Sequence, residues 1–158
     1  MHGALSIMYD RKYWYPRAGF DDTIFYEHQK WQHQCYSFSG ACDVELSQVA
    51  AEIFKKPKKQ FFYWLTLNSH AIYDERDIFV DVFDCKNFNI DIESESCRNL
   101  KLQAQFFDVL SRLIQQEQFK GVEVVVVGDH TPVIFRQNEK EKYFDENNIL
   151  ILRFKIKD

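Results

Sequence analysis

The feature that most constrains this chain is a run of four valines, Val124–Val127, followed directly by Gly128, Asp129 and His130. An unbroken β-branched run is typical of a strand buried on both faces, as in a parallel sheet. In open α/β sheets, ligands bind outside the carboxyl ends of the strands. A carboxylate and an imidazole at that place are suitable ligands for a divalent metal. The sequence therefore predicts that Asp129 and His130 are metal ligands.

A structural role for the same pair is the alternative that the residues leave open. In that interpretation Asp129 caps the turn after the strand and His130 faces solvent. A second apolar run, 61–67, favours the functional interpretation because it ends in Asn68, Ser69 and His70. Two strands that each deliver a histidine at one sheet edge indicate a shared site.

Helical spacing of apolar residues predicts helices over 44–55, with Asp43 as the N-cap, and over 97–118. The second helix leads through Gly121 into the strand 122–127, which makes an α/β unit. A last strand is expected over 149–156. We therefore expect an α/β fold, with a mixed and mainly parallel sheet flanked by helices, in a single domain over 1–158. The strands 61–67 and 122–127 should be neighbours or near-neighbours in that sheet.

The four cysteines form two local pairs, Cys35 with Cys42 and Cys85 with Cys97, in polar, turn-like stretches. Neither pair has the spacing of a zinc knuckle or a Cys-x-x-Cys redox motif. Two short loops closed by disulfides is the favoured interpretation, and it indicates an oxidising compartment. Four free thiols in a reducing compartment is the alternative, because connectivity does not follow from sequence alone.

The composition and the motifs of the sequence exclude several classes of function. A net charge of −4 gives no basic footprint for nucleic acid. No apolar run approaches the roughly 20 residues of a membrane helix, and no signal peptide is visible. The chain has neither a Gly-x-Ser-x-Gly elbow nor a glycine-rich phosphate loop. Fifteen Phe and eight Tyr indicate either an aromatic core or aromatics that face a partner.

The segments "FFYWLTLNSH" and "VEVVVVGDHTP" resemble the second half of a sulfatase-like domain of the alkaline phosphatase superfamily. The opening "MHGALSIMYDRKYWYPRAGFDD" resembles the same group. The nearest members are the membrane-anchored phosphoglycerol and phosphoethanolamine transferases, such as lipoteichoic acid synthase. The resemblance runs from His2 to about Pro132. A full domain of this family begins with an acidic metal ligand and a Thr or Ser nucleophile, which precede the matching region.

The resemblance implies a role for each candidate residue. Asp129 and His130 would bind zinc or manganese, and His70 and His2 would be catalytic residues that donate to a phosphate oxygen. His2 ranks below His70 because a residue at the chain start is expected to be frayed.

The expected function is the C-terminal, metal-binding half of a hydrolase or phosphotransferase for phosphate or sulfate esters of cell-envelope lipids or glycans. This half is expected to be inactive alone. The alternative is a catalytically dead remnant or a non-enzymatic binding module with the same fold. The parent would be periplasmic or otherwise extracytoplasmic and membrane-anchored. This part would have no membrane segment and no nucleic-acid partner, and it could self-associate through the face left by the missing half.

A basic cluster lies between the first predicted helix and the strand 61–67. Its members are Lys55, Lys56, Lys58 and Lys59. We interpret it as a solvated helix end rather than as an anion site.

Overall fold

Residues 1–157, the part of the chain that the computed structural model describes, form helices and short strands. The mixture of helix and strand expected from the sequence is confirmed. The α-helices are α1 (Arg11–Arg17), α2 (Asp43–Phe54), α3 (Glu95–Ile114) and α4 (Gln137–Tyr143). The strands are β1 (Gln34–Cys35), β2 (Gly40–Ala41), β3 (Glu123–Val127) and β4 (Ile151–Lys155).

The two long predicted helices are present, with shifted ends. α2 begins at Asp43, whose predecessor Cys42 occupies the N-cap position, so the predicted cap was wrong by one residue. α3 begins after Ser94, whose hydroxyl accepts from the backbone N–H of Cys97 at 3.0 Å. The polar segment between β3 and β4, for which helical spacing predicted no helix, contains α4.

The regular sheets among residues 1–157 are small and antiparallel, whereas the sequence predicted a mainly parallel one. β1 pairs with β2, and β3 pairs with β4 in a register that sets Val125 opposite Arg153. The segment 61–67 is extended, but its one bridge is a parallel pairing of Leu65 with His2. Sheets grow only where neighbouring backbones supply hydrogen-bond partners. Here 61–67 and β3 do not share a ladder.

The largest apolar cluster lies between α2, α3 and the start of the chain. Phe54 of α2 packs against Phe62 and Phe119, with ring centroids 5.5 Å and 4.6 Å away. The helical stripe predicted around residues 44–53 therefore does face the core. The buried members of this cluster are Met1, Ala41, Leu46, Ala50, Ala51, Leu113 and Phe119.

Both predicted disulfides are confirmed. Cys35 is bonded to Cys42 and Cys85 to Cys97, with Cα–Cα distances of 5.3 and 5.8 Å. In the chain-entropy model, loops of this length gain about 2–3 kcal/mol each. Two disulfides are typical of proteins from an oxidising compartment. No helix within residues 1–157 combines the length and the apolar character needed to cross a bilayer.

Two glycines allow three backbone segments to cross closely. A Cβ built on Gly3 would lie 2.4 Å from the carbonyl oxygen of Ala41. One built on Gly40 would lie 2.5 Å from the carbonyl oxygen of Gly3 and 2.7 Å from Leu67. Both clashes involve backbone, which cannot rotate away. The crossing therefore fixes the start of the chain, the β2 strand and the end of 61–67 relative to one another.

We expect Gly3→Ala to destabilise the chain by about 1–3 kcal/mol or more, the usual cost of forcing extra atoms into a packed region. Gly128→Ala is the matched control, because its nearest neighbours lie 3.8 Å away. Urea denaturation with disulfides intact measures both. Equal stability of the two variants would contradict the close crossing.

Candidate functional site

His2 is a buried residue and not the frayed one that its position predicted. Its side chain is only 3% exposed, and its backbone N–H donates to Ile24 at 2.9 Å. Its Nδ1 lies 2.9 Å from the carbonyl oxygen of Leu65 and must donate to it, because a carbonyl only accepts. Burial lowers the pKa of His2 to about 4, with smaller contributions from Arg11 and His70. The ring is therefore neutral at neutral pH.

His70 lies in the turn that follows the segment 61–67. Its backbone N–H donates to Leu67 at 3.1 Å, and its Nδ1 donates to the carbonyl oxygen of Ala71 at 2.8 Å. The exposed ring meets Phe38 edge to face, with centroids 4.5 Å apart. His2 pairs with Leu65 in the segment 61–67, and His70 lies in the turn that directly follows this segment. The structure therefore brings the two predicted catalytic histidines to one region.

A buried carboxylate holds this turn in place. The side chain of Asp43 accepts from the backbone N–H of Leu67 at 3.0 Å and of Asn68 at 2.8 Å. In return, the backbone N–H of Asp43 donates to Oδ1 of Asn68 at 2.7 Å. Burial raises the pKa of Asp43 to about 6, aided by the nearby carboxylate of Asp77 and opposed by the hydrogen bonds. The start of α2 is thereby joined to the residues just before His70.

Two further contacts fix the same turn from other sides. Asn68 also donates from Nδ2 to Sγ of Cys35, which belongs to a disulfide. The carbonyl oxygen of Ser69 accepts from Nδ2 of the fully buried Asn99, on α3, at 3.5 Å. The polar groups of the turn are thus engaged by α2, by α3 and by a disulfide, so His70 stands on a rigid support.

The disulfide loop, residues 35–42, packs along the chain that follows His70. Ser37 accepts from the backbone N–H of Ile72 at 3.2 Å and, through its hydroxyl, from that of Asp74 at 2.9 Å. The carboxylate of the fully buried Asp77 accepts from the backbone N–H of Ser37 at 2.6 Å. The loop therefore forms one wall beside His70.

Asp129 and His130 lie at the carboxyl end of β3, where the sequence placed them. Both side chains are largely exposed, at 75% and 60%. Nδ1 of His130 donates to the carbonyl oxygen of Thr131 at 2.8 Å. Nε2 of His130 lies 3.7 Å from Oδ2 of Asp129, close enough for one cation to contact both. The chemistry of the two donors fits a zinc or manganese ion.

The three candidate histidines share one tautomer. In His2, His70 and His130, Nδ1 donates to a backbone carbonyl oxygen, so the neutral ring presents the lone pair of Nε2. Metal-binding histidines are usually oriented by this kind of hydrogen bond. In this form Nε2 can coordinate a cation or accept a proton, and it donates to an anion only after the ring is protonated. The hydrogen-bond pattern thus suits cation binding at the two exposed rings, His70 and His130.

The loop that carries His70 packs against the loop that carries Asp129 and His130. Tyr73 and Ile134 are buried in one apolar cluster, against which Ala71 also packs. Ala71 follows His70 directly, and Ile134 lies four residues after His130. The loops after 61–67 and after β3 are therefore neighbours. It stays a prediction that His70 converges closely with Asp129 and His130. The roles predicted for these three residues and for His2 also stay predictions.

A different group of potential ligands is the one close cluster of three within residues 1–157. Cys35, Cys42 and Asp77 have ligand atoms within 4.8 Å of one another, and all three are buried. Both sulfurs are bonded in the disulfide, and Asp77 already accepts two backbone N–H groups. This group therefore has a structural role in the disulfide-bonded chain. Asp129 and His130 remain a two-ligand pair in the described residues.

No protein-family model, curated protein or solved structure matches this chain. The candidate site thus depends on its own geometry.

Sequence reasoning missed the residues that support His70. Asp43 was interpreted only as a helix cap, and no role was predicted for Asn68 or Asp77. Their partners are 24 to 41 residues away along the chain. Local patterns do not reveal such contacts, although an Asp and an Asn flanking two apolar elements are residue types that often satisfy buried backbone groups.

The two shifted pKa values predict opposite pH dependence for two variants. The pKa of Asp43 is raised, so its contribution to the free energy of unfolding is fully present below about 4 and is lost as pH rises through about 6. The pKa of His2 is lowered, so its contribution is present above about 6.5 and is lost as pH falls through about 4. We therefore expect Asp43→Asn to become more destabilising, relative to the parent chain, as pH falls from 6 to 4. We expect His2→Asn to become less destabilising over the same range.

Urea denaturation at pH 7, 6, 5 and 4 measures this difference, since other titrating groups cancel between variant and parent. Asparagine keeps a side-chain N–H for Leu65 in one variant and an acceptor for Asn68 in the other. Slopes of the same sign, or no slope in either variant, would show that the assigned pKa shifts are wrong.

Proposed function

We propose that this chain is the C-terminal, metal-binding half of a sulfatase-like hydrolase or phosphotransferase that acts on phosphate or sulfate esters of cell-envelope lipids or glycans. The observation that carries the proposal is the Asp129–His130 pair at the carboxyl end of β3, with Nε2 facing the carboxylate. It is supported by the neighbouring loop that carries His70 and by the shared histidine tautomer.

A zinc or manganese ion held by Asp129 and His130 would neutralise the anionic ester and activate a nucleophile. Three side chains of the chain itself would have further roles. His70, on its rigid turn, presents Nε2, which can accept a proton and then donate to the bound ester. His2, neutral and buried, offers a fixed Nε2 and adds no positive charge there. Phe38 shields one side of His70 from water.

The exposed surface of β3 and β4 supports the view that this is part of a larger domain. Val125, Val127 and Ile151 lie on the outer face of the pair and are 53–60% exposed. Four consecutive valines are expected inside a sheet, yet alternate ones here face solvent. We propose that the nucleophile-bearing half covers this face and extends β3 and the 61–67 segment into a mainly parallel sheet. Without it, self-association through the same face is expected.

The nucleophile of the reaction would come from that other half. Within residues 1–157, the N-cap positions of the α-helices are Asp10, Cys42, Ser94 and Arg136. Ser94 is the one hydroxyl among them, and it is buried and bonded to Asp91 and Cys97. A metal polarises the ester, and transfer through a covalent intermediate also needs an attacking hydroxyl side chain.

The two disulfides fit a periplasmic or other extracytoplasmic location, and the parent would be anchored in the membrane. The second candidate is a catalytically dead remnant or a binding module with the same fold. It is favoured by the two-ligand metal site, because two protein ligands hold an ion weakly.

Metal binding tests the Asp129–His130 pair on which the first candidate depends. Titration of the chain with Mn²⁺ or Zn²⁺, followed by calorimetry, should show weak binding that Asp129→Ala removes. The stability of the Asp129→Ala variant should differ from that of the parent chain by less than about 0.5 kcal/mol, since the Asp129 side chain is exposed. Asp22→Ala, at another exposed carboxylate, is the control and should bind metal like the parent chain. Equal binding by both variants would remove Asp129 from the site.

Turnover is the second measurement. With added Mn²⁺ or Zn²⁺, the isolated chain should not hydrolyse a chromogenic phosphodiester above the rate of the metal alone. Turnover that Asp129→Ala abolishes would show that a nucleophile lies within these residues, contrary to the half-domain proposal.

A further inference from the structure

An aromatic surface beside α1 has a different composition from the β3–β4 face. Phe61 is 82% exposed and stacks on Phe20, with centroids 6.1 Å apart. Phe20 in turn contacts Tyr63 and Tyr15, and Tyr15 contacts Trp14, which is 44% exposed. These rings form one connected layer, whose exposed part is large, rigid and amphipathic.

Four exposed cations lie close to these rings along the sequence. Arg17 follows Trp14 by one helical turn, and Lys56, Lys58 and Lys59 lead directly into Phe61. We call the four cations and the rings Trp14, Phe20, Phe61 and Tyr63 the aromatic–basic surface.

The charge of this surface is opposite to that of the rest of the chain. Its four cations outnumber the two adjacent carboxylates, Asp21 and Asp22, which gives +2. The whole chain has 20 basic and 24 acidic residues, so the remainder has 16 against 22, or −6. The segments that carry the exposed rings are therefore net positive, whereas the rest of the chain is net negative.

We propose that the aromatic–basic surface binds the anionic head-group region of a phospholipid bilayer. Trp, Tyr and Phe partition to the boundary between head groups and acyl chains, and Lys and Arg beside them are attracted to anionic lipid. The outer face of β3 and β4 offers aliphatic side chains and a Glu123–Arg153 ion pair instead, which suits a protein partner. Bilayer binding goes beyond the proposed function, because it requires neither a metal nor an active site.

Vesicle flotation and tryptophan fluorescence test this proposal. The chain should bind vesicles that contain phosphatidylglycerol or phosphatidylserine, equally at equal mole fraction, and should not bind pure phosphatidylcholine. Binding should weaken as salt is raised, since surface charge is screened. Emission should shift to the blue, mainly from Trp14, because Trp31 and Trp64 are already partly buried.

Two variants should weaken binding by about tenfold or more. Lys58→Glu with Lys59→Glu reverses two charges, each worth roughly 1 kcal/mol at such a membrane. Phe61→Ser removes the most exposed ring without disturbing the core. The matched controls are Lys30→Glu with Lys157→Glu, and Phe135→Ser, at exposed positions outside the surface. They should bind like the parent chain.

Three results would overturn the proposal. The first is no binding to either anionic vesicle. The second is equal loss of binding in the test and control variants. The third is a dimer in sedimentation that Phe61→Ser dissociates, without vesicle binding, which would assign the surface to a second copy of the chain. A strong preference for one anionic head group would instead indicate recognition at the candidate site. None of these results depends on metal binding by Asp129 or on turnover, so they are separable from a failure of the proposed function.

Discussion

The carboxylate of Asp43 is the contact on which the candidate site depends most. It is buried at the start of α2 and accepts the backbone N–H groups of Leu67 and Asn68. Hydrogen bonds to a charged group contribute about 1.5–3 kcal/mol each, and an orphaned buried N–H costs about 1–3 kcal/mol. Protein N–H groups thus offset part of the cost of burying the carboxylate. The turn that carries His70 is thereby fixed to the start of α2.

The same contact explains why the disulfide loop lies beside His70. Asn68 donates to the sulfur of Cys35, and Phe38 of the loop packs against the imidazole. Gly3 and Gly40 permit the close backbone crossing next to it. His2 is held at that crossing, which is why a residue at the start of the chain is buried. The prediction that His2 is frayed was wrong, because the pairing of His2 with Leu65 holds the start of the chain in place.

Sequence patterns predicted the features that depend on neighbours along the chain. Helical spacing located α2 and α3, the valine run located β3, and local cysteine spacing gave both disulfides. The patterns did not predict which backbones pair, because a strand's partners depend on the whole fold. They also missed α4, whose seven residues are mostly polar and bury no side chain fully. The support of His70 was missed because its contacts span more than twenty residues.

We propose different partners for the two exposed surfaces described above, because their chemistry differs. The aliphatic outer face of β3 and β4 has the composition of a sheet interior, so another polypeptide is its natural cover. The aromatic–basic surface carries rings and cations, which suit the boundary of an anionic bilayer. A chain fixed on one side to a membrane and on another to a partner domain would present the Asp129–His130 end to solvent, where the pair is open to an ion.

Whether His2, His70 and His130 share one ion-binding region is most directly tested by NMR of the imidazole resonances during addition of Mn²⁺. The ion broadens signals of nearby nuclei. The account predicts that the resonances of His130 and His70 broaden first, that those of His2 follow, and that Asp129→Ala suppresses all three effects. His28, which lies in the turn Tyr26–His28 and in neither loop of the candidate site, should stay sharp. Broadening of His130 alone would contradict a shared site.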